Sequence, residues 1–228
     1  MPWKGIKDPY RIWLSEVILQ QTRVEQGISY YQAFVKAYPT VHKLAQAPEN
    51  EVFKIWEGLG YYSRCRNLIH TAKRVSQDLK GEFPTSREGL ISLKGVGPYT
   101  AAAIGSFAFG LPLAVVDGNV MRVLSRFFGI KTPIDSTSGK KMMEEVADAL
   151  LDKKDPAWFN QAMMDLGATV CKPQSPDCAT CPLQKKCIAF SQKKQSLFPV
   201  KTQKVKQKKR FLFYLILESK GQVLIRQR

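Results

Sequence analysis

Leu93 to Leu124, LKGVGPYTAAAIGSFAFGLPLAVVDGNVMRVL, restricts the possible folds more than any other part of the chain, because it sets a glycine turn, an apolar helix and a capped second helix in one run. Leu93-Lys94-Gly95-Val96-Gly97-Pro98 reads as a turn between two helices. The glycines accept backbone angles that other residues resist, and Pro98 suits a first helical turn. A helix starting there points free amide groups outward, which favours a phosphate. The run stays apolar to Phe109, breaks at Gly110 and Pro112, and restarts after Asp117 with Val120, Val123, Leu124 and Phe127 at helical spacing. Asp117 sits where a helix cap belongs.

Charge narrows the range of partners. The 228 residues carry a formal net charge of +16 with only two histidines, and 44% are hydrophobic, enough for a buried core in one or two domains. Such an excess of lysine and arginine points to a polyanion, nucleic acid first. No apolar run approaches a membrane span, and MPWKGIKDPY lacks the apolar core of a signal peptide, so a cytoplasmic, nucleoid-associated protein is expected. Reduced cysteines belong in that setting. Four of the five lie at Cys171, Cys178, Cys181 and Cys187, a C-x6-C-x2-C-x5-C pattern that reads as a metal site. Spacing alone favours structural zinc over an iron–sulfur cluster. Cys65 reads as a lone buried thiol.

Helical periodicity accounts for nearly everything else. From Pro9 to about Gln26, Tyr10, Trp13, Leu14, Val17 and Ile18 form one apolar stripe, while Ile12, Glu16, Leu19 and Arg23 form another. Glu16 is therefore a carboxylate in a helix that is apolar nearly all round; if that face is buried its pKa should rise, whereas an ion pair with Arg23 would be a purely structural alternative. Gln20, Gln21 and Thr22 follow as three adjacent hydrogen-bonding side chains. Further helices are expected at about 28 to 38, 41 to 47, 49 to 57 and 64 to 80. Between the last two, Gly58-Leu59-Gly60-Tyr61-Tyr62 is a turn whose apolar and aromatic groups could wedge an opened duplex. Thr85 with Glu88 predicts a capping box ahead of a short helix from Ser86 to Leu93, and two more helices are expected from Ser138 to Leu151 and Pro156 to Thr169. The body is expected to be all-α. Residues 191 to 210 read as a basic tether, and Phe211 to Leu217 with Val223 to Ile225 as a β-hairpin that is marginal by itself.

LSEVILQQT (14 to 22), GLGYYSRCRNL (58 to 68), LKGVGPYTA (93 to 101), VDGNVMRVLSR (116 to 126) and the four-cysteine pattern together resemble the adenine DNA glycosylase (MutY) family of helix-hairpin-helix glycosylases. The resemblance covers residues 2 to 190. It implies an N-terminal remnant at 1–8, a helical barrel with the helix-hairpin-helix at 9–114, a cluster domain at 115–190, the linker, and at 211–228 the start of a Nudix-like domain, with both ends truncated. It also implies a [4Fe-4S] cluster on Cys171, Cys178, Cys181 and Cys187, Glu16 as general acid, and Asp117 as the carboxylate that stabilises or captures the sugar cation. Gln21, Thr22, Leu59, Tyr61 and the backbone of Gly95, Val96 and Gly97 are the implied DNA contacts, with Tyr99 and Asn119 at the adenine pocket. In the related endonuclease III type, a lysine that permits strand cleavage stands where this chain has Tyr99. Base removal without strand cleavage is therefore expected, from a monomer acting on adenine opposite 8-oxoguanine or guanine in double-stranded DNA. A thymine glycosylase for G·T mismatches and a weakly active DNA-binding fragment are the rival readings.

Overall fold

The computed structural model describes residues 1–202, 209, 211 and 213–224. Its body is all-α, as the periodicity predicts. Helix α1 (Pro9–Leu19) starts at Asp8, whose carboxylate accepts from the amides of Tyr10 and Arg11, and Pro9 supplies a preset first turn. It stops well before the expected Gln26, because Gln20 leaves helical geometry and Gln21 takes φ 57°. The sequence then restarts as α2 (Val24–Ala37), followed by α3 (Val41–Gln46), α4 (Glu49–Trp56), α5 (Tyr62–Gln77) and α6 (Arg87–Ile91). Ser86, not Thr85, caps α6, accepting from the Gly89 amide at 3.1 Å. Thr85 failed as the predicted cap because two adjacent hydroxyl residues compete for one geometry, and Ser86 has the extended backbone that a cap needs.

Helices α7 (Pro98–Phe109) and α8 (Gly118–Phe128) complete the stretch that contains the glycine turn. Beyond them come α9 (Thr137–Leu150), α10 (Pro156–Asp165) and the short α11 (Ile188–Ser191). The expected helix to Thr169 changes form after Asp165 and runs on as a π-helical turn, Leu166–Val170, that delivers Cys171.

Buried side chains fall into two main clusters. The larger spans residues 10 to 104 and includes Trp13, Phe34, Leu44, Trp56, Leu68 and Leu93, the two tryptophans being fully buried. Each such side chain contributes about 1.5–3 kcal/mol relative to exposure. The smaller cluster joins Val120, Leu124, Ile134, Met143 and Ala147. Helix α1 packs on α7 and α10 packs on α8, so the cleft between the clusters is walled by α1, α7, α8 and α10.

The C-terminal part departs from expectation. The supposed tether is packed over its first residues: Phe198 is buried, and the Val200 carbonyl accepts from the Ile134 amide at 3.0 Å. Residues 203–208 and 210 of the tether lie outside the described residues. The hairpin is reduced to β1 (Glu218–Ser219) and β2 (Gln222–Val223) around Lys220 and Gly221, both at positive φ. Leu212 and Ile225 of the expected strands also lie outside the described residues. The remaining apolar run, including Phe213 and Leu215, is almost fully exposed, since nothing among the described residues covers it.

Candidate active site

One cavity of about 590 Å³ opens between the clusters, and Glu16, Tyr99, Asp117 and Asn119 all line it. Glu16 lies in the last two turns of α1 with 9% of its surface exposed. Burial pushes its carboxyl up to about 7, the Tyr99 hydroxyl donating a hydrogen bond partly opposes this, and the nearby Asp117 charge adds to the rise. The ion pair with Arg23 does not form: the four salt bridges among the described residues involve neither side chain. Tyr99 is itself held as the neutral phenol, by burial first and by the two neighbouring carboxyl groups next.

Asp117 caps α8 as its position predicts. One carboxylate oxygen accepts from the Val120 amide and the other from the Asn119 side-chain amide, both at 2.7 Å. Its negative charge thus meets the positive end of α8. The Asn119 carbonyl oxygen accepts from Arg122 at 2.8 Å, and Arg122 also donates to the carbonyls of Gly167 and Cys171 at 2.8 and 2.7 Å. A continuous polar chain therefore runs from Asp117 to the first cysteine. Gly167 makes this approach possible, since a Cβ there would stand 2.6 Å from the Cβ of Asn119.

The glycine turn lies beside the cavity, not within it. Gly95 has φ +81°, and an added Cβ would meet the Asn67 Cβ at 2.9 Å, so this position requires glycine. The Thr71 hydroxyl donates to the Lys94 carbonyl at 2.9 Å and steadies the turn from α5. Gly95 and Gly97 are exposed, while the Val96 side chain is buried. Gly97 caps α7 with no side-chain hydrogen bond, leaving the amides of Tyr99 and Thr100 free of intrahelical partners. The first turn of α7 thus offers amides outward and turns Tyr99 into the cavity.

Of the other expected DNA contacts only Thr22, half-buried, lines the cavity; Gln21 and Tyr61 are exposed outside its lining, Tyr61 at 65%, and Leu59 packs into the core. Leu59 is thus not one of the exposed groups at this turn. Several wall residues escaped the sequence reading. Lys4 binds both oxygens of Asp165 at 2.7 Å, Gln161 donates to the same carboxylate, and Trp3 packs edge-on against Tyr31 with ring centroids 5.2 Å apart. Trp158, 68% exposed, stands on the rim. No sequence signal links Lys4 to Asp165 across 161 positions.

Cys171, Cys178, Cys181 and Cys187 surround one small recess of about 30 Å³. Among the described residues no three of the usual ligand side chains are gathered tightly enough for a single metal ion. Cys181 nonetheless feels the other three: burial raises its pKa, a backbone hydrogen bond opposes this, and the neighbouring thiols add to the rise. Arg126 donates to the Cys171 sulfur at 3.3 Å and Gln195 reaches the Cys178 sulfur at 3.8 Å. Four thiols facing one recess, with N–H donors aimed at sulfur, fit an iron–sulfur cluster better than one small ion.

A helix-hairpin-helix beside a cleft with a capped aspartate is the arrangement of a base-excision fold, and the sequence model of "HhH-GPD superfamily base excision DNA repair protein" matches residues 14–150. The chain belongs to that superfamily. Within it, the resemblance is to adenine DNA glycosylases: 48% identity over 181 residues with that of Homo sapiens, covering 79% of this chain and 33% of the relative, and 37% over 231 residues with that of Buchnera aphidicola subsp. Baizongia pistaciae, covering 100% and 65%. The chain thus spans between a third and two thirds of the length of these relatives. Among solved structures, a thermostable thymine-DNA glycosylase superposes with TM-score 0.77 at 31% identity, covering 84% of this chain and 88% of that one. A non-covalent endonuclease III–DNA complex gives 0.71 at 26%, covering 82% and 86%.

Proposed function

We propose that the chain is a monofunctional adenine DNA glycosylase that removes adenine opposite 8-oxoguanine or guanine. The observation that carries this reading is the pairing, in one cavity, of a buried Glu16 with a pKa near neutrality and an Asp117 held at a helix N-terminus. Adenine leaves poorly as an anion. Protonated Glu16 gives its proton to a ring nitrogen of the extruded base, the glycosidic C–N bond breaks with its electron pair going to adenine, and positive charge develops on the deoxyribose. Asp117 stabilises that cation or captures it at the anomeric carbon. Water then completes the hydrolysis and leaves an abasic strand. Two carboxyl groups placed in unlike environments divide acid and anion roles in this way.

Tyr99, donating to the Glu16 carboxyl, orients it and keeps its pKa from rising further, and the Lys4–Asp165 pair with Gln161 gives the far wall a hydrogen-bonding edge against which a purine can be oriented. Lys4, held by both Asp165 oxygens, is not a free amine poised to attack the sugar. The free amides at the α7 N-terminus and the exposed Gly95–Gly97 turn take a DNA phosphate, and Gln21 and Tyr61 enter the stack as the base leaves it. Cys171, Cys178, Cys181 and Cys187 would hold a [4Fe-4S] cluster. When bound, it supplies a rigid, charged brace for the 171–187 loop, the excision itself being redox-neutral.

The deciding experiment offers duplexes with A opposite 8-oxoguanine, A opposite G, and T opposite G, and identifies the released base by mass spectrometry. Adenine from the first two, with strand breaks only after hot alkali, is the expected result. Thymine release would favour the second reading, which the likeness to the thymine-DNA glycosylase supports. Breaks without alkali would refute the monofunctional assignment.

A further inference from the structure

Two turns bound to one side chain share an unusual backbone, and the first of them lends Gln20 and Thr22 to the cavity wall. The turn between α1 and α2 carries Gln21 at φ 57°, and the turn between α4 and α5 carries Tyr61 at φ 44°. Neither residue type favours the left-handed region, so each tip persists only where its surroundings hold it. Both tip side chains are exposed. Beneath them lies a single guanidinium, that of Arg64 in the first turn of α5, with 8% of the residue exposed.

Arg64 donates to the carbonyls of Val17 and Ile18 at 3.1 and 3.0 Å, and closely to that of Gln20, which are the unpaired acceptors at the end of α1. Its other terminal nitrogen donates to the Leu59 carbonyl at 3.2 Å, in the second loop. The Thr22 hydroxyl lies at 3.4–3.5 Å from both. The same group stacks over Trp56 at 5.1 Å and beside Tyr61 at 5.7 Å, while the Trp56 indole N–H donates to the Gly60 carbonyl at 3.0 Å. Every hydrogen-bond acceptor it has among the described residues is neutral. A buried cation that satisfies backbone carbonyls from two separate loops is costly as simple packing, and its fork is spent on joining them.

We infer that Arg64 is a positioning residue that locks the Gln21 and Tyr61 turns into one unit, so that both enter the DNA stack together when a base is extruded. This rests on the glycosylase reading above. Helix α1 also carries Glu16, so the lock fixes the distance between the wedge and the acid. Lysine at this position keeps the charge but, having a point-like ammonium in place of a planar fork, cannot span both loops.

The test uses a duplex with 2-aminopurine in place of adenine opposite 8-oxoguanine, whose fluorescence rises when the base leaves the stack. Arg64→Lys should slow that rise roughly 10- to 100-fold, the range expected for misplacing a positioned group. The lost carbonyl contacts should lower the melting temperature, so the rise is followed with saturating protein at a temperature where the variant is folded. A parent-like fluorescence rise in folded Arg64→Lys overturns the inference. Should that variant unfold, the exposed Gln21→Ala, Tyr61→Ala and double variants decide. A double loss no greater than the larger single loss supports one coupled unit, and additive losses overturn it. If the parent protein itself never raises the fluorescence, the glycosylase reading fails rather than the lock.

Discussion

Glu16 carries the pH dependence of the account. Its folded pKa, about 7, lies above the ordinary carboxyl value of 4.5, so the buried acid stabilises the fold fully below the lower value, and this contribution is lost as pH rises through the upper one. A shift of this size corresponds to on the order of 3 kcal/mol. Glu16→Gln, isosteric and uncharged, should therefore melt higher than the parent at pH 8 and close to it at pH 4, as calorimetry would show, while adenine release is lost. For the parent, excision should fall as pH rises through about 7, since only protonated Glu16 can donate. Tyr99→Phe removes the hydrogen bond that lowers the Glu16 pKa, so the alkaline limb of its pH–rate profile should move to higher pH; an unmoved limb would separate Tyr99 from the acid. At this scale the sequence was informative because chemistry follows residue type and position. An acid on a helix apolar nearly all round and an aspartate before a helical run each stood out, but alone they read as an ion pair and an ordinary cap, and only the resemblance to a family joined them. The wall formed by Trp3, Lys4 and Asp165 did not stand out, because its parts meet only after folding.

Among the elements, helix type was legible and helix ends were not. Amphipathic spacing located the major helices, yet α1 ends at Leu19 because a side chain far along the chain, Arg64, takes its last carbonyls. The change to π-helical hydrogen bonding after Asp165 likewise answers to tertiary contact, the fit of Gly167 against Asn119. Gly167→Ala should push this turn off α8 and cut adenine release at least tenfold, since about 1 Å of misplacement can cost roughly 100-fold. Gly95→Ala has a different target. It forces a Cβ into positive φ and against Asn67, and should weaken duplex binding while leaving a folded protein destabilised by about 1–3 kcal/mol, measurable by titration and thermal melting.

Across the whole molecule, the proposed site lies where the two main core clusters face one another. The larger cluster supports Glu16 on α1, the smaller supports α8 with Asp117 at its cap, and the polar chain through Asn119 and Arg122 ties that cap to Cys171. Of the five motifs, those at 14 to 22, 93 to 101 and 116 to 126 meet at one cavity, an assembly that depends on long-range packing that periodicity cannot encode. Disrupting the cysteine site, by iron chelation under oxidation or by Cys181→Ser, should loosen the 171–187 loop and lower duplex affinity before it alters the excision step, measured as loss of visible absorbance against binding and single-turnover rate. The proposed excision requires the joint action of carboxyl groups from the two clusters. The most direct measurement is single-turnover adenine release by Asp117→Asn from an A·8-oxoguanine duplex, with duplex binding followed in parallel. Asparagine keeps the cap, so the account predicts a folded protein that binds DNA as the parent does and releases no adenine; release at the parental rate would contradict it.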